Sequence, residues 1–156
     1  MASSISTVKL FANAAIESFT HTPAAAATEQ SAKSGATATT WKDMRDYTGF
    51  AVVATPTVFV GNGMIELSIY AADDDSGTNA TEIKTTGVIA ADALGDYAAL
   101  ECTTEEIVQL SAAAGYDLRY VTAYVDCHHA DDEVALTYIR HGARFPQAGL
   151  TATTIA

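Results

Sequence analysis

The sequence predicts an all-β domain, and three observations carry that expectation. Short β-branched and aromatic runs recur along the chain, several of them alternating with a period of two. Gly-, Asn- and Asp-containing turn signals separate those runs at short intervals. A single stretch, beginning at Thr103, carries a helix start and stop. At 156 residues and 49% hydrophobic content the chain has the size of one globular domain with a real core.

Taken in order, residues 8–12 read as a first strand and residues 15–19 as its continuation or partner. Residues 22–40 are dominated by Ala, Thr and Ser, with Pro23, Gly35 and no large apolar side chain. Such a stretch buries too little surface to offset its own ordering, so it reads as a long loop or arm that orders only against a neighbour. Residues 50–60 return to strand character, and Pro56 confines that strand to an edge or a bulge. After the Gly61-Asn62-Gly63 turn, residues 64–70 alternate: Ile65, Leu67 and Ile69 against Glu66, Ser68 and Tyr70. Residues 50–60 and 64–70 are therefore expected to form a hairpin.

The run Asp73-Asp74-Asp75-Ser76-Gly77-Thr78-Asn79 is a polar turn, and residues 82–89 and 97–102 read as two further strands. Thr103 followed three residues later by Glu106 is a capping box, and Gly115 marks the end of a short helix. Residues 118–127 alternate again, with Tyr120, Thr122, Tyr124 and Asp126 opposite Val121, Ala123 and Val125. A polar break at 128–132 leads into the alternating residues 134–140, which predicts a second hairpin, and residues 151–156 offer a last strand. About eight short strands with turn-sized gaps suit a jelly-roll-like β-sandwich with one short helix and an extended N-terminal arm. Composition divides this single domain into residues 1–40, a strand and arm, and residues 41–156, the sandwich.

Charge narrows the functional classes. Nineteen acidic residues face eight basic ones, for a net charge of −11, and no Lys/Arg cluster exists to grip a nucleic-acid backbone or an anionic membrane. Charged residues amount to 17%, below the average of about 25%, so much of the surface must be Thr, Ser and Ala, which tolerate close packing against neighbours. No run approaches the roughly 18 apolar residues of a membrane span, and residues 1–7 lack the features of a secretory signal. Cys102 and Cys127 read as reduced thiols of a protein made in a cytoplasm.

The order of segments resembles a known family. Lys42-Asp43-Met44 precedes the first alternating pair, and Ile65-Glu66-Leu67-Ser68-Ile69-Tyr70 runs into the Asp73–Gly77 turn. The acidic Thr104-Glu105-Glu106 turn, the strand opening Arg119-Tyr120-Val121, and Gly142-Ala143-Arg144-Phe145 follow. Together, over residues 41–145, they resemble the capsid decoration (cement, or auxiliary head) proteins of tailed bacteriophages. The resemblance implies a jelly-roll-like domain on the capsid exterior that binds the major capsid protein, self-associates as a dimer or trimer, and stabilises the shell. A carbohydrate-binding or host-adhesion module is the second class, and a tail or head–tail joining protein a third.

Candidate chemistry is sparse. His128 and His129, with Asp131 beside them, are ligand-type residues, but neighbours on a strand point apart, so a solvated loop is the favoured reading. Asp73 and Asp75 lie in a turn without the alternate ligand spacing of a calcium loop. No catalytic motif occurs, and neither a cofactor nor an enzymatic activity is expected. The interface candidates are the large amphipathic Trp41, Tyr120 and Tyr124, the two tyrosines on the face opposite Val121 and Val125, and the scarce cations Arg140 and Arg144.

Overall fold

The computed structural model describes residues 13–22, 30–31, 41–60 and 63–144. The expected strands at 8–12 and 151–156, and most of the Ala/Thr/Ser stretch, lie outside them. The elements in order are β1 (Ala14–His21), β2 (Gln30–Ser31), β3 (Lys42–Asp43), β4 (Gly49–Val58), β5 (Met64–Ala72), β6 (Thr81–Thr85), β7 (Ala98–Thr103), α1 (Thr104–Ala114), β8 (Tyr120–Cys127) and β9 (Glu133–His141).

Two antiparallel sheets result. The first has the order β1-β9-β4-β7, and the second β2-β8-β5-β6, with β3 also on β8. The pairings nest: β5 with β6, β4 with β7, β2 and β3 with β8, and β1 with β9. The chain is thus one long antiparallel hairpin, tipped by the β5–β6 turn and wound so that successive levels alternate between sheets. Lateral pairing of β4 with β9 and of β5 with β8 completes each sheet. This is a jelly roll, the expected all-β sandwich with one helix.

Neither predicted hairpin forms. β4 and β5 lie in different sheets, as do β8 and β9. Alternation reports that one face of a strand is buried, and a partner in either sheet satisfies it equally. Pro56 does mark a bulge: β4 loses its β7 partner after Ala54, and its register on β9 shifts between Pro56 and Val58. β1 pairs with β9 over its whole length, from Ala14↔His141 to His21↔Val134, and so belongs to the sandwich.

The core lies between the sheets. Phe50, Val52, Leu67, Ile69, Val121, Val125 and Leu136 are fully buried, as the alternation of their strands requires. Helix α1 begins and ends where its sequence dictates. The Thr103 side chain accepts from the Glu106 N–H, the Glu106 carboxylate accepts from the Thr103 N–H, and Gly115 closes the helix in the left-handed conformation at φ 77°.

Tyr138 joins the sheets by a polar contact. The Tyr138 ring, on β9, packs edge-on against Phe19 and Phe50 at centroid distances of 4.9 and 5.0 Å. Its hydroxyl accepts from the Ala123 N–H at 2.8 Å and lies 3.2 Å from Thr122 Oγ1. On this stretch of β8, β2 pairs at Tyr124 and Val125, and β3 at Tyr120 and Val121. The phenol therefore stands between the two short strands and takes the place of a ladder partner.

Candidate functional site

The outer face of the first sheet is built from residues that the registers align. Ile16, Ile139, Ala51 and Glu101 form one row; Ser18, Thr137, Val53 and Ala99 the next; Thr20, Ala135 and Thr55 a third. Their strand neighbours Phe50, Val52, Ala54, Val134, Leu136 and Tyr138 point inward and are buried. Glu101 is the single charged side chain in those rows, in a chain with 19 acidic residues. This face is small, neutral and partly apolar, with Ile16 42% exposed.

The interface candidates lie elsewhere. Tyr124 packs against Tyr70 at 4.2 Å and edge-on to Trp41 at 6.4 Å. Trp41 is held so close to Gly77 that a Cβ there would come within 2.9 Å of the indole; with φ at +85°, only glycine suits that position. The Tyr70 hydroxyl donates to Glu82 at 3.3 Å. Trp41 and Tyr124 thus meet, as part of an aromatic layer against the 73–79 turn. Tyr120 accepts from Arg119 Nη2 at 2.7 Å and lies under its guanidinium. Val121, Ala123 and Val125 do face the core, and the tyrosines opposite them are half-buried by groups of their own chain.

Arg140 is engaged internally. Its guanidinium reaches Glu17 at 3.2 Å and the Asp43 carbonyl at 3.1 Å, and sits 4.7 Å above the Tyr47 ring. Glu17 also binds Lys42, so the network links β1 and β9 of one sheet to β3 of the other. Arg144 is exposed, and its backbone N–H donates to the Asp46 carbonyl at 2.8 Å.

The metal-type residues divide between the two ends of the sandwich. His128, His129 and Asp131 follow β8, whose Cys127 pairs with Met64; Asp73 and Asp75 follow Ala72, at the other end of β5. A nine-residue strand separates them, roughly 26 Å at 3.3 Å per step, too far to share an ion. His129 Nδ1 accepts from the Asp131 N–H at 3.1 Å, while the His128 side chain is exposed. Among the described residues no three His, Cys, Asp or Glu side chains converge on a common point. Asp74 serves its own turn, accepting from the Ser76 and Thr78 N–H groups and from the Thr78 hydroxyl, which holds its carboxyl below the usual range. Burial pushes the thiols of Cys102 and Cys127 up to about 12, so both are unreactive at neutral pH.

The end of the sandwich that carries His128 holds a feature the sequence reading did not single out. The connection between β6 and β7 contains the three most exposed large apolar side chains among the described residues: Val88 at 84%, Leu94 at 81% and Tyr97 at 70%. An open cavity of about 540 Å³ is lined by Tyr97 together with Ile89, Ala90 and Ala91. A non-periodic apolar scatter in a loop without Lys or Arg was the available signal.

No protein-family model matches the chain, and no curated protein matches it by sequence. Among solved structures it is similar to a protein of the Bacillus endospore appendages described as a novel family of disulfide-linked pili, at 17% identity, TM-score 0.40, over 83% of this chain and 88% of that one. It is also similar to PirA, at 14% identity, TM-score 0.41, over 80% and 93%. The SPBc2 prophage-derived protein YomS gives 14% identity, TM-score 0.39, over 81% and 93%. At such identities and scores these likenesses assign no function, which has to be argued from this chain's own surface.

Proposed function

We propose that this chain is a virion structural protein, a capsid decoration or cement protein that sits on the outside of the shell and acts by binding alone. The observation that carries the reading is the neutral outer face of the first sheet. Docking that face desolvates few charges, whereas most of the remaining surface of a −11 chain would resist close approach. Four strands about 4.8 Å apart and six residues long present roughly 400 Å². That is half of the approximately 800 Å² per partner in a standard stable interface. One such contact is weak, and a shell of repeated major capsid subunits, or a dimer or trimer of this chain on it, supplies the multivalency that makes weak contacts hold.

The test places charge on that face without touching the core. Val53→Lys combined with Thr137→Lys is expected to keep the melting temperature within a few degrees and to reduce co-sedimentation with shells at least tenfold. Full occupancy by the folded double variant refutes the assignment of this face. Sedimentation with tails instead of shells moves the protein to the tail or head–tail joining class. The glycan-binding reading has less support, because the rings of Trp41, Tyr70 and Tyr124 pack on one another and on Gly77 rather than forming an open platform.

A further inference from the structure

We infer that the connection between β6 and β7 is a docking surface for a second protein, one whose contacting face is apolar and flanked by Lys or Arg. The loop is held rigidly at its base. The Thr86 N–H donates to the Leu67 carbonyl, the Ile89 N–H to that of Ile65, and Ala91 and Met64 exchange hydrogen bonds in both directions at 3.1–3.2 Å. Asp96 ties the far side, its carboxylate accepting from the Asp92 and Ala93 N–H groups. A loop so anchored nonetheless holds Val88, Leu94 and Tyr97 out in solvent, and Tyr97 lines an open cavity. Scattered surface apolar residues are ordinary, but three so exposed within ten residues of an anchored loop are preorganised for contact.

Charge selects the occupant. Residues 86–97 contain Asp92 and Asp96 and no Lys or Arg, and the adjoining residues 126–133 add Asp126, Asp131 and Glu133 beside the buried Asp132, again without Lys or Arg. The two segments share one end of the sandwich, because the His128 N–H donates to the Gly63 carbonyl, and Gly63 lies against Ala91. A second copy presenting the same end would oppose carboxylate to carboxylate, so a basic-rimmed partner fits and self-docking through this patch does not. The inference stands apart from the capsid reading, since it concerns a different face and is tested without particles.

The experiment uses purified full-length protein and two designed 18-residue amphipathic peptides, one of Leu and Lys and one of Leu and Glu. Calorimetry measures affinity and amide NMR maps the contact. The Leu/Lys peptide is expected to bind with shifts centred on residues 86–97, more weakly at high salt, and at least tenfold more weakly to Leu94→Ser and to Val88→Ser. Both substitutions are at exposed side chains, and an unchanged melting temperature verifies the fold. Equal binding of the Leu/Glu peptide, unaltered affinity of both variants, or shifts confined to other surfaces overturns the inference. Concentration-dependent dimerisation that Leu94→Ser abolishes also overturns it, by making a second copy the occupant.

Discussion

Replacing Tyr138 with Phe removes a hydroxyl that spans the sandwich. The ring remains, so the edge-on contacts with Phe19 and Phe50 persist and no cavity opens. The loss is the acceptor for the Ala123 N–H, which the hydroxyl meets at 2.8 Å between the β2 and β3 pairings. A buried N–H left without a partner costs about 1–3 kcal/mol, and a middle value of about 2 is taken because Ala123 and Tyr138 are both buried. For a chain of this size that corresponds to a fall in Tm of roughly 4–8 °C. Urea titration should show a lower midpoint at constant slope, and hydrogen exchange should accelerate at the Ala123 amide ahead of its neighbours. A loss below about 0.5 kcal/mol, with Ala123 still protected, would refute the view that the phenol replaces a ladder partner. Alkaline titration offers a second check. Burial raises the Tyr138 pKa above the ordinary tyrosine value, so the native state favours the neutral phenol. That contribution is complete below about pH 10 and disappears as pH climbs through the folded value, so Tyr138 should ionise above the ordinary tyrosine range.

Two further perturbations probe the loops and the helix. Asp132 is fully buried, and its carboxylate accepts from the Val60 N–H at 2.6 Å and the His129 N–H at 2.9 Å, which fixes the β8–β9 connection against the end of β4. Asp132→Ala leaves both donors unpaired and is expected to cost about 3 kcal/mol in thermal or urea unfolding, with Asp132→Asn intermediate; equal stability of the Ala variant would mean that water replaces the carboxylate. The Lys84 ammonium, and after it the Thr103 N–H, hold the Glu106 carboxyl below its usual range, and Lys84 is raised in return. With both side chains nearly two-fifths exposed, the pair is worth at most about 1 kcal/mol. Because the folded carboxyl pKa is depressed, that stability is present above about pH 4.3 and is lost as pH falls through the folded value. Glu106→Gln should therefore lower Tm by a few degrees at pH 7, and the difference from wild type should shrink towards pH 3.

The sequence by itself determined which residues turn inward, where the helix starts and stops, and that the chain forms a β-sandwich. These properties are local. Alternation at Val121, Ala123 and Val125 fixes the buried face of β8, and Thr103, Glu106 and Gly115 satisfy the ends of α1 within their own segment. Tertiary structure alone decided who pairs with whom. β4 and β5 alternate as hairpin partners would, yet their ladders run to β7 and β9 and to β6 and β8, because sheet pairing is settled by closing the whole nested hairpin. The surfaces follow the same division. Trp41, Tyr124 and Arg140 were visible as unusual residues, but folding gave them partners within the chain. The neutral face of the first sheet gathers residues from four strands that are scattered from Ile16 to Ile139, each unremarkable alone, and no local pattern announces a surface that exists only once the strands are in register.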